Sequence, residues 1–134
     1  MNSKGNSYLL SRLAIGLIWL YHGLVPKLIF RSATELELIQ HGPVVGSAET
    51  TLLLAGIGEV VLGLCVFVFW KQAWPALVSI AAFALLLVAA MVIAPEMATH
   101  AFNPVTLSGS GVFFGLINWC EHQRAAGQCG SFVL

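Results

Sequence analysis

Between Trp74 and Ile93 the chain runs "WPALVSIAAFALLLVAAMVI", without one charged side chain and with Ser79 as its single hydroxyl. A stretch of about 20 such residues is what a helix needs to cross the hydrocarbon of a bilayer. Three other segments have similar character, and the boundaries expected from hydropathy are 8–30, 48–70, 74–93 and 105–120. Of the 134 residues 58% are hydrophobic and 9% charged, where a soluble domain carries about a quarter charged. The expected fold is therefore all-α: an integral membrane four-helix bundle, built as one transmembrane domain over residues 1–134. The fourth segment is short, and Phe102–Asn103 would extend it.

Charge narrows the partners. Six Lys/Arg balance six Glu, there is no Asp, and the net charge is zero. No nucleic-acid partner is expected; the lipid bilayer is. "MNSKGNSYLLSRLAIGL" has no small-x-small cleavage site, and its apolar run outlasts a signal peptide, so it reads as a retained first helix. Lys4, Arg12, Lys71 and Arg124 fall on one side of the predicted spans, against Lys27 and Arg31 on the other. The positive-inside rule then places both termini in the cytoplasm. "RSATELELIQHGPVVGS", between the first two spans, reads as a short interfacial helix closed by Gly42–Pro43. Cys65, Cys120 and Cys129 form no C-x-x-C pair. No His/Glu spacing matches a metal pattern, so no metal site is expected.

The polar residues inside the spans are the candidates for function. In "WLYHGLVPK", residues 19–27, Pro26 lacks the N–H that would reach the carbonyl of His22. A kink is expected there, with an acceptor exposed beside the imidazole and Gly23 permitting close approach. Lys27 would stand at the mouth as a cation or snorkel to head groups. In "LLLAGIGEVVLGLCVF" Glu59 lies about 16 Å into the second span. Gly56 and Gly63 share its stripe, a helix-contact face that turns the carboxylate inward. It must be protonated or paired with His22, Lys27 or Tyr21. The third span reads as a lipid-facing wall. The fourth carries Gly111-x-x-x-Gly115, a packing motif, with Ser108 on the same face and Asn118 near its inner end. Helices one, two and four would line a polar interior, with Glu35, Glu37, His41, Glu96 and His100 above it.

"RLAIGLIWLYHGLVPKLI", a span containing "GEVVLGL" and a later "FNPVTL" together resemble the DoxX-like family of small four-helix integral membrane proteins, over about residues 12–120. The residues that carry the resemblance are Trp19, Tyr21, His22, Gly23, Pro26, Lys27, Glu59 and Asn103–Pro104. It implies an inner-membrane protein associated with quinone- or sulfur-linked respiratory chemistry. The paired cysteines of quinone-reducing relatives are missing here, which speaks against a thiol-to-quinone route.

The leading expectation is a pocket for a lipophilic ligand such as a quinone. The ligand-binding or proton-relay residues would be His22, Glu59, Lys27, Tyr21, Trp19 and Asn103, with Trp19 and Tyr21 stacking. Pro26, Gly23, Gly56, Gly63, Gly111 and Gly115 would be structural. Electrons would come from a membrane redox partner, because no flavin, haem or iron–sulfur signature is present. The alternatives are a small-solute or proton transporter working as a homo-oligomer, and a non-catalytic subunit of a larger membrane complex.

Overall fold

The computed structural model describes residues 3–99 and 103–127; His100, Phe102 and Cys129 lie outside them. Helix α1 (Ser3–His22) continues without a break into a π-helical segment (Gly23–Ile29). Then come α2 (Ala33–Gln40), α3 (Ala48–Val68) and α4 (Trp74–Ile93), a 3-10 turn (Pro95–Thr99), and α5 (Pro104–Ala125). No strand occurs among the described residues.

Local chemistry sets the helix starts. Ser47 caps α3 by accepting the Thr50 N–H at 3.1 Å, and Asn103 caps α5 by accepting the Thr106 N–H at 2.8 Å. Pro75 and Pro104 occupy first-turn positions, where a missing N–H costs nothing. Pro26 is different because it lies inside a helix. The chain does not expose an orphan carbonyl there. It widens to i→i−5 bonding, seen in the Phe30 N–H to Val25 carbonyl bond of 3.0 Å. In that pattern the His22 carbonyl is met by Lys27 rather than by Pro26. The expected kink with a bare acceptor is thus corrected to a wide turn that bypasses the proline. Arg31, at φ 44°, turns the chain out of the segment, and Ser32 N–H closes on the Pro26 carbonyl at 2.7 Å.

Among the described residues, three helical stretches are long and apolar enough to cross a membrane: Gly5–Ile29, Ala48–Val68 and Trp74–Ile93. α5 is long enough but more polar, with Ser108, Ser110, Asn118 and its final Glu121, His122 and Arg124. Leu85, Val92 and Val68 are 70–75% exposed, far more apolar surface than water tolerates and ordinary for lipid. These features make the chain a helical membrane protein.

α1 packs against both α3 and α5, and α4 packs along α5. Ile15, Trp19, Val66 and Phe83 form the buried centre, flanked by Val112 and Phe114. Trp19 stacks on Phe83 with ring centroids 4.1 Å apart and planes 15° from parallel. Its indole N–H donates to Ser79 Oγ at 3.0 Å, and Ser79 donates to the Pro75 carbonyl at 2.7 Å. Two expectations change here. α4 is not only a lipid-facing wall, because it contributes Phe83 and Ser79 to the centre. Nor is the interior polar throughout: the Trp19–Phe83 layer divides it into two polar ends.

Close backbone approach brings α1 and α3 together. A Cβ on Gly23 would lie 2.6 Å from the Gly56 carbonyl oxygen and 2.9 Å from the Val60 nitrogen, neither of which can swing aside. Gly56 in turn faces the Lys27 Cβ. Gly63 meets Leu20, Gly111 lies under the Phe83 ring and Gly115 under Ile80. Gly23→Ala is therefore expected to lower stability by about 1–3 kcal/mol, the cost of overpacking. Gly58→Ala, with open space around it, is the control and should change little. Thermal midpoints in detergent check the pair; equal midpoints would show that the Gly23–Gly56 approach is not tight.

Candidate functional site

The π-helical turn reorients the residues after Pro26, and Lys27 becomes buried, 7% exposed. Its Nζ donates to Glu59 Oε1 at 2.6 Å and lies 3.6 Å from Glu35 Oε2. Of the partners open to Glu59 in the sequence, Lys27 is the one that reaches it. The second carboxylate oxygen, Oε2, is buried with no hydrogen-bond partner among the described residues. One ammonium thus faces two carboxylates, one from α3 with a side chain 12% exposed and one from α2 at 24%. In a low-dielectric surrounding such a charge-assisted bond is strong, and its loss is costly.

Beside this triad opens a cavity of about 660 Å³ between the π-helical segment, α2 and the start of α5. Tyr21, His22, Ser32, Thr34, Glu35 and Asn103 supply its polar wall. Val25, Pro26, Leu38, Pro104 and Leu107 supply apolar surface. The size and the mixture fit a small organic ligand. Tyr21 meets His22 edge-on at 5.9 Å, and its ring is 61% exposed. Lys27 and Glu59 do not reach the wall; Glu35 does, and it connects them to the cavity.

The other expected site residues separate. Asn103 both lines the cavity and caps α5. Trp19 is placed elsewhere: 2% exposed, locked between Phe83 and Ser79, and absent from the cavity wall. It packs the centre and has no face left for a ligand. Glu37 and His41 are exposed, with His41 Nδ1 2.9 Å from the Glu37 carbonyl oxygen. Glu96 is also exposed, in the 3-10 turn.

Arg12, which in the sequence counts as a charge that sets topology, is fully buried. Its Nε donates to the Val66 carbonyl at 2.8 Å and its Nη2 to the Phe69 carbonyl at 2.5 Å. Nη1 donates to the Gln72 carbonyl at 3.0 Å and to Asn118 Oδ1 at 3.1 Å. Asn118 donates onward to the Tyr8 carbonyl and to Ser11 Oγ, each at 3.1 Å, and Tyr8 donates to the Trp70 carbonyl. The guanidinium fork thereby satisfies carbonyls that the end of α3 leaves open, at the negative end of that helix. The signal for it in the sequence is an arginine inside one apolar run and an asparagine inside another. Neither says which backbone atoms wait between them.

The two polar ends differ in kind. The Arg12 end is closed and saturated by hydrogen bonds, whereas the Lys27 end has an unsatisfied carboxylate oxygen and an open cavity. No curated protein and no solved structure matches the chain. A family model described as DoxX-like family matches residues 16–116, well over half of its length and including α3, α4 and every cavity residue. The chain belongs to the DoxX-like family.

Proposed function

We propose that this DoxX-like membrane protein binds a lipophilic small molecule in the cavity beside the π-helical turn. The observation that carries the reading is the cavity itself, with the His22 imidazole and the Tyr21 ring on a wall otherwise rich in apolar and hydroxyl groups. A quinone is the first ligand to try. Its ring suits the apolar surface, and its carbonyls accept hydrogen bonds from the hydroxyls and the imidazole. Glu59 and Lys27 would hold or exchange the accompanying proton, and a membrane redox partner would supply the electrons.

In this reading four spans cross a bacterial inner membrane as one domain, with α5 as the fourth and both termini in the cytoplasm. The cavity then opens toward the outer interface, and α2 lies along that interface. Extraction into polymer nanodiscs, followed by mass spectrometry of retained small molecules, tests the idea. A quinone enriched over bulk membrane should be found with the native protein and fall at least tenfold in His22→Ala. Equal retention by the two would remove His22 from the site.

A second reading, a proton-coupled transporter acting as a homo-oligomer, draws support from the buried Lys27–Glu59 pair and its unpartnered Oε2. Solute uptake into vesicles that needs a proton gradient and disappears in Glu59→Gln would favour it over quinone chemistry.

A further inference from the structure

The charges around the cavity do not cancel. Among the described residues Lys27 is the one cation in contact with the two carboxylates, and it is committed to Glu59 at 2.6 Å. Glu35 keeps only the longer contact of 3.6 Å and alone reaches the cavity wall. Among the described residues, the titratable groups that face this region are His22 and Tyr21 from α1, Lys27 from the π-helical segment, Glu35 from α2 and Glu59 from α3. The stretch of α5 on the wall contributes Asn103, Thr106 and Ser110, which are polar and uncharged. Two carboxylates thus stand against one ammonium, and the one that faces the cavity is Glu35. A carboxylate on the cavity wall disfavours an anion there and favours a cation.

We infer that the cavity accepts an amphipathic organic cation, an amine or quaternary ammonium with an apolar body, and that Glu35 is its counter-ion. This rests on the cavity being a site for a lipophilic ligand, and it gives that ligand a positive charge that a quinone lacks. The head would displace no buried partner of Glu35 except the long Lys27 contact. The Tyr21 ring, exposed beside it, adds a face of the kind that attracts cations. Val25, Leu38 and Leu107 would receive the apolar body. Lys27 sets the affinity indirectly: while Glu59 holds it, Glu35 is free to bind.

The test uses the full chain in nonionic maltoside micelles, which contain no competing head group. Equilibrium dialysis against empty micelles, quantified by mass spectrometry, compares three probes of like shape. They are trimethyl(4-phenylbutyl)ammonium, its neutral carbon isostere 5,5-dimethyl-1-phenylhexane, and the anion 4-phenylbutanesulfonate. The cation should be retained at least tenfold more tightly than the neutral isostere, and the anion not above empty micelles. Glu35→Gln should bring the cation down to the level of the isostere. Glu59→Gln, a change off the cavity wall, should also weaken the cation severalfold, because Lys27 then turns to Glu35.

Equal retention of cation and neutral isostere by the native protein would overturn the inference and leave the lipophilic cavity standing. So would a Glu35→Gln variant that still prefers the cation. Retention of no probe would overturn both. Once cation-selective retention is established, displacement by added phosphatidylcholine assigns the site to a lipid head group, and lack of displacement to a free amine.

Discussion

Lys27→Met is expected to destabilise the protein by about 3–5 kcal/mol, the cost of removing one partner from a buried ion pair. The reason is what remains. Glu59 would keep a carboxylate whose side chain is 12% exposed, with one oxygen already unpartnered and the other stripped of its 2.6 Å bond. Glu35 would lose only a 3.6 Å contact and is open to the cavity, so it adds little. Replacing both members tells charge apart from packing. Lys27→Met/Glu59→Leu removes the ion pair and fills the space with apolar groups, a change that is often neutral or stabilising. The double variant should therefore recover most of the loss. Thermal midpoints in detergent and the fraction surviving size-exclusion chromatography read both results. A single variant as stable as the native protein would mean that Glu59 does not depend on Lys27. A double variant no better than the single would mean that the π-helical turn needs the lysine for another reason.

Arg12→Leu is expected to cost at least about 3 kcal/mol, because hydrogen bonds to a charged group contribute roughly 1.5–3 kcal/mol each and four are lost together. Leucine fills much of the volume, so the loss reports on polarity rather than on a cavity. The carbonyls of Val66, Phe69 and Gln72 would be left without the partner that joins the end of α3 to α1. Arg12→Lys should recover less than half. An ammonium is a point charge and cannot reproduce a planar fork that reaches four acceptors at once. Hydrogen exchange gives the local readout: amides 69–72 should exchange faster in Arg12→Leu than in the native protein, while those at the centre of α4 follow global stability. Unchanged exchange at 69–72 would show that the guanidinium does not hold that turn.

The arginine also shows where reading along the chain reaches its end. A lone Arg in an apolar run satisfies the charge-counting rule for topology, and that rule is indifferent to whether the side chain points to water or inward. Its direction depends on the break between α3 and α4, where Phe69 and Gln72 turn their carbonyls toward α1. Glu59 was easier, because Gly56 and Gly63 flank it on one stripe and small residues mark a contact face. The stripe pointed the carboxylate inward without naming its partner. Lys27 became the partner only because the Pro26 turn widened and rotated it into the bundle.

Trp19 and Glu35 moved in opposite directions. Trp19 belongs to the motif that carries the family resemblance, and its aromatic ring suggested ligand stacking. The ring instead meets Phe83 of α4, a helix with no polar signal beyond Ser79. Glu35 lies in the stretch that reads as a short interfacial helix, one of several polar residues expected above the interior. The fold brings α2 back over the π-helical segment and α3, so Glu35 ends beside Lys27 and on the cavity wall. Both outcomes depend on contacts between elements far apart in the chain, and periodicity within one element does not record them.

The sequence by itself determined that the chain is helical and lives in a membrane, and roughly where its long apolar helices run. Those properties follow from local quantities: apolar length set against bilayer thickness, side chains that cap an N-terminus, and prolines that cannot donate. Only the tertiary structure decided that the polar residues divide into a closed arginine cluster and an open lysine–carboxylate cavity. A buried charge takes its partner from whichever backbone or side chain the packing brings within about 3 Å. Helix packing is set by small-residue faces and ring stacking across several helices at once.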